Sequence, residues 1–528
     1  MRKLKRRLQE SFGKVPDPYY FAGDMEQIRA YYDFRRENDR DSFLLDEITW
    51  NDLDMDRVFK RINPRRCTSG EQYLYYMLRS PATDREAYDK RRDFIRFAEA
   101  DPDRRLKIET ILARLGCTRR ADVCRAFYPS EHGVGMLVIY LTLFLVLIAM
   151  AVCAALRVGF GRRGVLVSLF LNLFVHEILK RGTQSDFDTV NYVVNMVFAL
   201  HKLRRLHDPE LDSLMGDGYK SLDRLRVVIR TGGVSTVTDT GGLYDAIVSV
   251  TLLDLITYEL LKNKLGRCPE DVFAIHEALG RLDAAVSVAS YRKSLGHYSE
   301  PEITFANDTA PEIAAIQMIH PLLAEAVPND LVTDRPILTT GSNASGKSTY
   351  LKTAALAAIM AQGICTVLAD SYHGSAFQIY SSMALNDDLL AGESYYIVET
   401  KSLRRILGIA KTGVPMLCVV DEVLRGTNTV ERIAASSEVL RALADTGALC
   451  IAATHDIELC ELLQDVYRLF HFEEQVGENE MLFDYVIREG KATSRNAIEL
   501  LRLLGFDKEI VENAHARANR FLESGSWR

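Results

Sequence analysis

Apolar positions along the chain change their spacing twice. Between about residues 40 and 130 they recur every three or four positions, as in VFKRINPRRCTSGEQYLYYMLRSPATDREAYDKRRDFIRFAEA, which predicts short amphipathic helices. From 185 to 300 the same spacing returns in longer runs, LYDAIVSVTLLDLITYELLKNKL and VFAIHEALGRLDAAVSVASYRKSL, and predicts a second helical block. From about residue 301 the runs shorten and become β-branched (PILTT, MLCVV, LCIAA), alternating with helical segments. That texture predicts a βαβ-type parallel sheet.

Between the helical blocks the polar positions vanish. Gly133 to Leu156 contains no charged residue over 24 positions, enough for a helix to cross a bilayer. Arg157, Arg162 and Arg163 follow, then a second apolar run from Gly164 to Val175 that continues into HEILKR. The expectation is a transmembrane hairpin over 133–179. The alternative is a helical hairpin buried in a soluble core. Basic residues stand before, within and after the run, so charge asymmetry does not orient it. If the flanking blocks are halves of one cytosolic core, the chain crosses an even number of times. His176 and Glu177 are then expected at the inner interface, reaching headgroups or Lys180. The N-terminal segment 1–40 opens with six basic residues in its first 14 and has no apolar stretch of a signal peptide. It reads as a basic helix on anionic lipid or as a solvated end.

Composition changes this picture little. The 528 residues are 48% hydrophobic and 26% charged, a folded chain of several domains. A net charge of -7 argues against a protein that coats polyanions non-specifically, while leaving local basic patches open. The nine cysteines form no CxxC pair, a reduced, cytosolic pattern that indicates neither a zinc site nor a disulfide framework.

Candidate chemistry sits in the last third. The strand-like PILTT leads into Gly341, Ser342, Asn343, Ala344, Ser345, Gly346, Lys347, Ser348 and Thr349, and a helical run follows. This is GxxxxGK[ST] between strand and helix, the phosphate-binding loop. Its glycines let backbone amides curl around phosphate oxygens, and the helix N-terminus adds its positive end. Lys347 is expected to reach the β- and γ-phosphates of ATP, and the Ser348 hydroxyl to ligate Mg²⁺. MLCVV delivers Asp421 and Glu422 to a strand end. Asp421 is expected to hold Mg²⁺ through water, and Glu422 to polarise the attacking water. LCIAA ends in Thr454-His455-Asp456, where His455 is the candidate γ-phosphate sensor. Taken alone, His455 would read as a strand-end histidine in contact with water.

These segments, in this order, resemble the MutS family of DNA mismatch-repair ATPases. VPNDLV (327–332) is similar to the family's nucleotide-cradling segment, and GSNASGKSTYLKT to its phosphate loop. NDDLLAGESYYIVETKSLRRIL (386–407) resembles its signature segment, DEVLRGTNTVE its most distinctive motif, and ATHDIEL its histidine switch. GKATSRNAIELLRLLGFDKEIVENA is similar to its terminal helical dimer region. The resemblance implies a homodimer that closes each ATP between one subunit's phosphate loop and the other's Ser394. It also implies Val327 and Tyr485 on the two faces of the adenine, and possible DNA binding.

The chain departs from that pattern in five places. Asn343-Ala344-Ser345 stands where the family has Asn-Met-Gly, and Ala326 where it has an aromatic residue. Some 40 residues precede the core-like block, so a mismatch-reading domain is expected to be missing, and no nuclease is expected after the ATPase domain. The apolar run occupies much of the interval of the family's DNA clamp. Phe472-Glu473-Glu474 carries the letters of the mismatch wedge but lies within the ATPase region.

The expected architecture is an α/β P-loop ATPase domain of ABC type, MutS-like, C-terminal to an all-α core domain that a hydrophobic helical hairpin interrupts. Its parts are the basic segment 1–40, helical blocks 41–130 and 185–300, the hairpin 133–179, and the ATPase domain with its dimer region, 301–515. The expected location is the cytoplasmic membrane with the ATPase domain in the cytoplasm, the alternative being a soluble cytoplasmic protein. Two functions compete: a DNA-associated, repair-related ATPase, and a membrane-anchored mechanochemical ATPase acting on an unknown protein partner or on the membrane. One or two spans per chain are too few for a transporter's substrate path.

Overall fold

The computed structural model describes residues 2–39, 42–119, 121–128, 135–182, 184–231, 243–305, 310–342, 345–383, 395–476, 481–491, 497–503 and 505–524. Two compact units emerge. One comprises Met1–Arg40, Lys60–Tyr76 and Asp93–Ser294, and the other Asp41–Phe59, Met77–Arg92 and Leu295–Arg528.

The first unit is helical. Its core includes a ring cluster in which Tyr31 and Phe127 lie 5.2 and 5.0 Å from the His276 imidazole. Both ring nitrogens of His276 are buried without a hydrogen-bond partner, and burial pushes its pKa down to about 3, so the ring is neutral and packs as an aromatic. Arg66 is fully enclosed, paired with Asp283 and donating to Ser287 Oγ at 3.1 Å.

Within this unit two helices, Gly135–Ala155 and Gly161–Gly182, run side by side. Glycines permit the approach: a Cβ on Gly161 would stand 2.4 Å from the Ala154 backbone nitrogen, and one on Gly164 2.5 Å from Met150 Sδ. On the first helix only Tyr140 and Leu147 are buried among the described residues. Tyr140 joins a small cluster with Leu252, Leu255 and Ile256, the latter two on the helix Leu253–Leu265.

The second helix has its polarity reversed. Ser168, Asn172 and His176, spaced four apart, are buried, while Leu166, Val167, Phe170 (75% exposed), Phe174 (64%) and Ile178 face outward. Asn172 Nδ2 donates to the Val250 carbonyl at 2.8 Å. His176 Nε2 lies 2.7 Å from the buried Asp254 carboxylate. His176 was expected at an interface, reaching headgroups or Lys180; it instead faces a carboxylate 78 residues away, which satisfies a polar group that lipid could not.

The second unit holds all ten described strands: β1 (Glu302–Thr304), β2 (Ile313–Met318), β3 (Asn329–Thr333), β4 (Ile337–Thr340), β5 (Ser371–Ser375), β6 (Gln378–Ser382), β7 (Met416–Asp421), β8 (Leu449–Thr454), β9 (Arg468–Val476) and β10 (Met481–Glu489). β1, β5, β2 and β3 form a small sheet in that order. The large sheet runs β10-β9-β4-β8-β7-β6, parallel throughout except for β10 at its edge. Its central strands β7 and β8 are buried at every position because both faces are covered.

The unit boundaries depart from those read along the chain, where 41–130 formed one helical block. Residues 41–59 and 77–92 instead supply polar groups that the sheet unit lacks. Thr49 Oγ1 and Asp52 accept from the Ser381 backbone N–H (3.1 Å) and Oγ (2.6 Å) at the end of β6. Gln362 ties Ala82 to Phe377 through four hydrogen bonds involving its backbone and side chain. Amphipathic spacing identifies such segments as helical or half-buried without saying which core receives them.

Candidate functional site

Strand register assembles the site. Thr340 of β4 pairs with Thr454 of β8, and Asp421 of β7 pairs with Ala453. Three parallel strands therefore end at one level, and the residues beyond them, Gly341, Glu422 and His455, open on the same edge, the carboxyl edge where open α/β sheets bind ligands.

The loop after β4 bends back into the helix Lys347–Ile364. Gly346 takes φ 106°, a backbone that side chains rarely adopt, and a Cβ there would stand 3.3 Å from the Tyr485 ring. Lys347 Nζ donates to the carbonyls of Gly341 (2.9 Å) and Ser342 (2.6 Å). Burial lowers its pKa to about 8, with Asp421 and Glu422 opposing that shift. Ser348 and Thr349 are exposed at the helix start, and Ser345 is buried with its Oγ lacking a hydrogen-bond partner. Asn343, Ala344 and Ser394 lie outside the described residues.

Asp421 Oδ1 is a buried carboxylate oxygen with no hydrogen-bond partner. An acceptor of this kind, within electrostatic range of Lys347 at the start of the same helix as the exposed Ser348, suits Mg²⁺ bound partly through water. Glu422 also takes a left-handed backbone, φ 56°, and its N–H donates to the Ala453 carbonyl at 2.9 Å. Its Oε1 lies 2.7 Å from His455 Nε2, and its Oε2 is paired with Arg425. Burial alone would raise the Glu422 pKa, but the His455 hydrogen bond, the charges of His455 and Arg425, and Lys347 outweigh it and hold the carboxyl below the usual range. His455 follows β8 directly, next to an Asp456 that Arg432 grips through Nε (2.9 Å) and Nη2 (2.7 Å).

Beside the phosphate loop is a cavity of about 350 Å³ lined by His320, Val327, Thr349, Tyr350 and Tyr485, among others. Val327 and Tyr485 thus share one cavity wall system with Gly346, although 158 residues separate them in the chain. Asn329 makes this possible. Its Nδ2 donates to the Tyr485 carbonyl at 2.9 Å and its Oδ1 accepts from Ile487 N–H at 2.8 Å, where the β9–β10 register shifts. Sequence reasoning passed over Asn329 and Arg425. The first stood inside the quoted VPNDLV, and an amide beside a bulged edge strand was the available signal. The second lay three residues from Glu422.

Residues 337–522 match the family model of MutS domain V. The chain is 33% identical over 263 residues to the DNA mismatch repair protein MSH3 of Phaeosphaeria nodorum, covering 47% of this chain and 23% of that protein. It is 33% identical over 202 residues to the DNA mismatch repair protein MutS of Thermus aquaticus (37% and 25%), and 30% identical over 270 residues to DNA mismatch repair protein MutS 2 of Halobacterium salinarum (49% and 31%). The chain thus spans about a quarter to a third of the length of the curated relatives it matches.

Proposed function

We propose that this chain is a MutS-family ATPase that hydrolyses ATP in a composite dimeric site and is tethered to the cytoplasmic membrane. The observation that carries the catalytic part is the convergence of the phosphate loop, Asp421, Glu422 and His455 on one edge of a parallel sheet within the matched domain. ATP places its phosphates over the loop amides and Lys347, and its base in the cavity of Val327 and Tyr485. Ser348 and Asp421 would hold Mg²⁺, which would supply charge neutralisation at the phosphates. Glu422, ionised well below neutral pH, accepts the proton of the attacking water, and His455 orients that carboxylate while facing the terminal phosphate. Ser394 of the second subunit completes the site.

Glu422→Gln should lower kcat by about 10²-fold or more while nucleotide still binds, because only the base is lost. Lys347→Ala should weaken nucleotide binding itself. Wild-type turnover in Glu422→Gln removes that residue from the base role. Mixing Ser394→Arg with Lys347→Ala protein should restore part of the lost activity, since one composite site then carries neither lesion. Verified heterodimers without activity would confine the site to one chain.

The reversed polarity of the helix Gly161–Gly182 supports the tether. A helix that hides serine, asparagine and histidine and presents phenylalanine and leucine is built for an apolar surrounding. The same feature favours a second reading of what the ATP cycle moves: a protein partner or the membrane itself instead of DNA. Binding of purified protein to duplex DNA across a salt series separates the two, since phosphate contacts give a steep salt dependence and their absence gives none.

A further inference from the structure

Glu422 occupies a backbone that costs energy, and its surroundings reveal what holds it. Both Glu422 and Leu424 are non-glycine residues in the left-handed region, φ 56° and 59°, a conformation strained for any side chain. A turn with two such residues persists only where other contacts fix it. Ser436 Oγ, on the helix Thr429–Asp445, donates to the Val423 carbonyl at 3.1 Å. The stronger anchor is a carboxylate from the helix Tyr395–Ala410.

Glu399 lies just over one turn into that helix and is almost fully buried. Its Oε1 accepts the Leu424 N–H, and its Oε2 accepts the Arg425 N–H at 3.1 Å. Two consecutive amides are thus gripped by the two oxygens of one carboxylate, a charge-assisted pair of bonds. The turn also presses on the same helix at Gly426, where a Cβ would stand 2.9 Å from Tyr396 Cβ.

We propose that Glu399 is the positioning residue for Glu422: by holding the amides of Leu424 and Arg425 it locks the left-handed turn that aims the Glu422 carboxylate at His455 and the phosphate loop. Glu399 touches neither nucleotide nor the reacting atoms. It acts on the geometry of the residue that does, and the inference rests on the reading of Glu422 as the catalytic base. Glutamine keeps the shape of Glu399 but sets an NH₂ group against one of the two amides, so one grip is lost and a donor faces a donor. Aspartate keeps the charge and falls one methylene short.

The test uses the full-length chain with Glu399→Gln and Glu399→Asp beside wild type, measuring kcat and KM for ATP, direct ADP binding and thermal unfolding. The expected result is a fall in kcat of about 10- to 100-fold, the scale of a displaced catalytic group, with KM and ADP affinity within about twofold. Unchanged kcat in both variants overturns the proposal. So does a loss of kcat matched by equal losses of ADP affinity and thermal stability, the signature of a purely structural residue. If glutamine prevents folding, the aspartate variant alone decides by the same readouts. An absence of ATP hydrolysis by wild type is a separate failure, that of the ATPase reading.

Discussion

Two long helices of this chain are rich in apolar residues and end in opposite surroundings. The helix Lys347–Ile364 buries 15 of its 18 residues, whereas Gly135–Ala155 buries two of its 21 among those described. Their side chains differ in size as well as in hydrophobicity. YLKTAALAAIMAQGI is rich in alanine, which lets strands of both sheets, β2 as well as β6, β7 and β8, approach it from different sides. MLVIYLTLFLVLIAM is dense in leucine, isoleucine, valine and phenylalanine, which make volume and surface and leave little room for a close backbone. Hydrophobicity says that water is avoided. Burial in the fold says whether other side chains take its place.

The largest effect that can break this comparison is on partition. Replacing residues 135–182 by a short flexible linker should move the protein from the membrane pellet to the soluble fraction while ADP binding is kept. A full-length chain already soluble without detergent ends the tether reading. Next comes the cost of truncation. Leu356→Ala, in the fully buried helix, should lose about 2–5 kcal/mol by denaturant unfolding, the transfer and cavity terms together. The matched change Leu145→Ala, at a position 60% exposed, should stay within about 0.5 kcal/mol. Similar losses at both positions would mean that the first hairpin helix has a protein cover of its own.

The smallest effect is protonic and sits at the start of the buried helix. Lys347 is depressed from 10.5 to about 8, so the folded chain holds fewer protons than the unfolded one between those values. Its burial therefore costs stability fully below about pH 8, and the cost is relieved as pH rises toward 10.5. Polyphosphate beside the amine favours its charged form, so nucleotide binding near pH 9 should take up a fraction of a proton. Titration calorimetry in buffers of different ionisation enthalpy reads that fraction directly. No uptake would place Lys347 away from the phosphates.

The contrast also explains what the sequence could convey. The phosphate loop, Asp421-Glu422 and His455 were legible because each follows a short apolar strand, and a parallel sheet aligns strand ends without further information. Glu399, Asn329 and the His176–Asp254 pair were not. Each is a polar side chain whose partner lies 25 to 158 residues away, and neither periodicity nor a local motif encodes such a distance. The same holds for residues 41–59, helical by spacing yet committed to the sheet unit by Thr49 and Asp52. The cavity of Val327 and Tyr485 was reached only through family resemblance, and Asn329 supplies its physical basis.

The pairing of Arg66 with Asp283 sets an order of events during synthesis. The two residues are 217 positions apart, and the apolar helices lie between them. At roughly 5–20 residues per second, Arg66 leaves the ribosome about 10 to 40 s before its carboxylate exists. For that interval the segment 60–76 lacks a completed core, while the apolar helices already need theirs. A nascent chain that commits the helices 135–182 first, and closes the helical unit around them only when the helix Pro269–Ser294 emerges, avoids exposing both at once. A stall placed before residue 283 should therefore yield a chain whose N-terminal segments are open to protease, even where its apolar helices are protected.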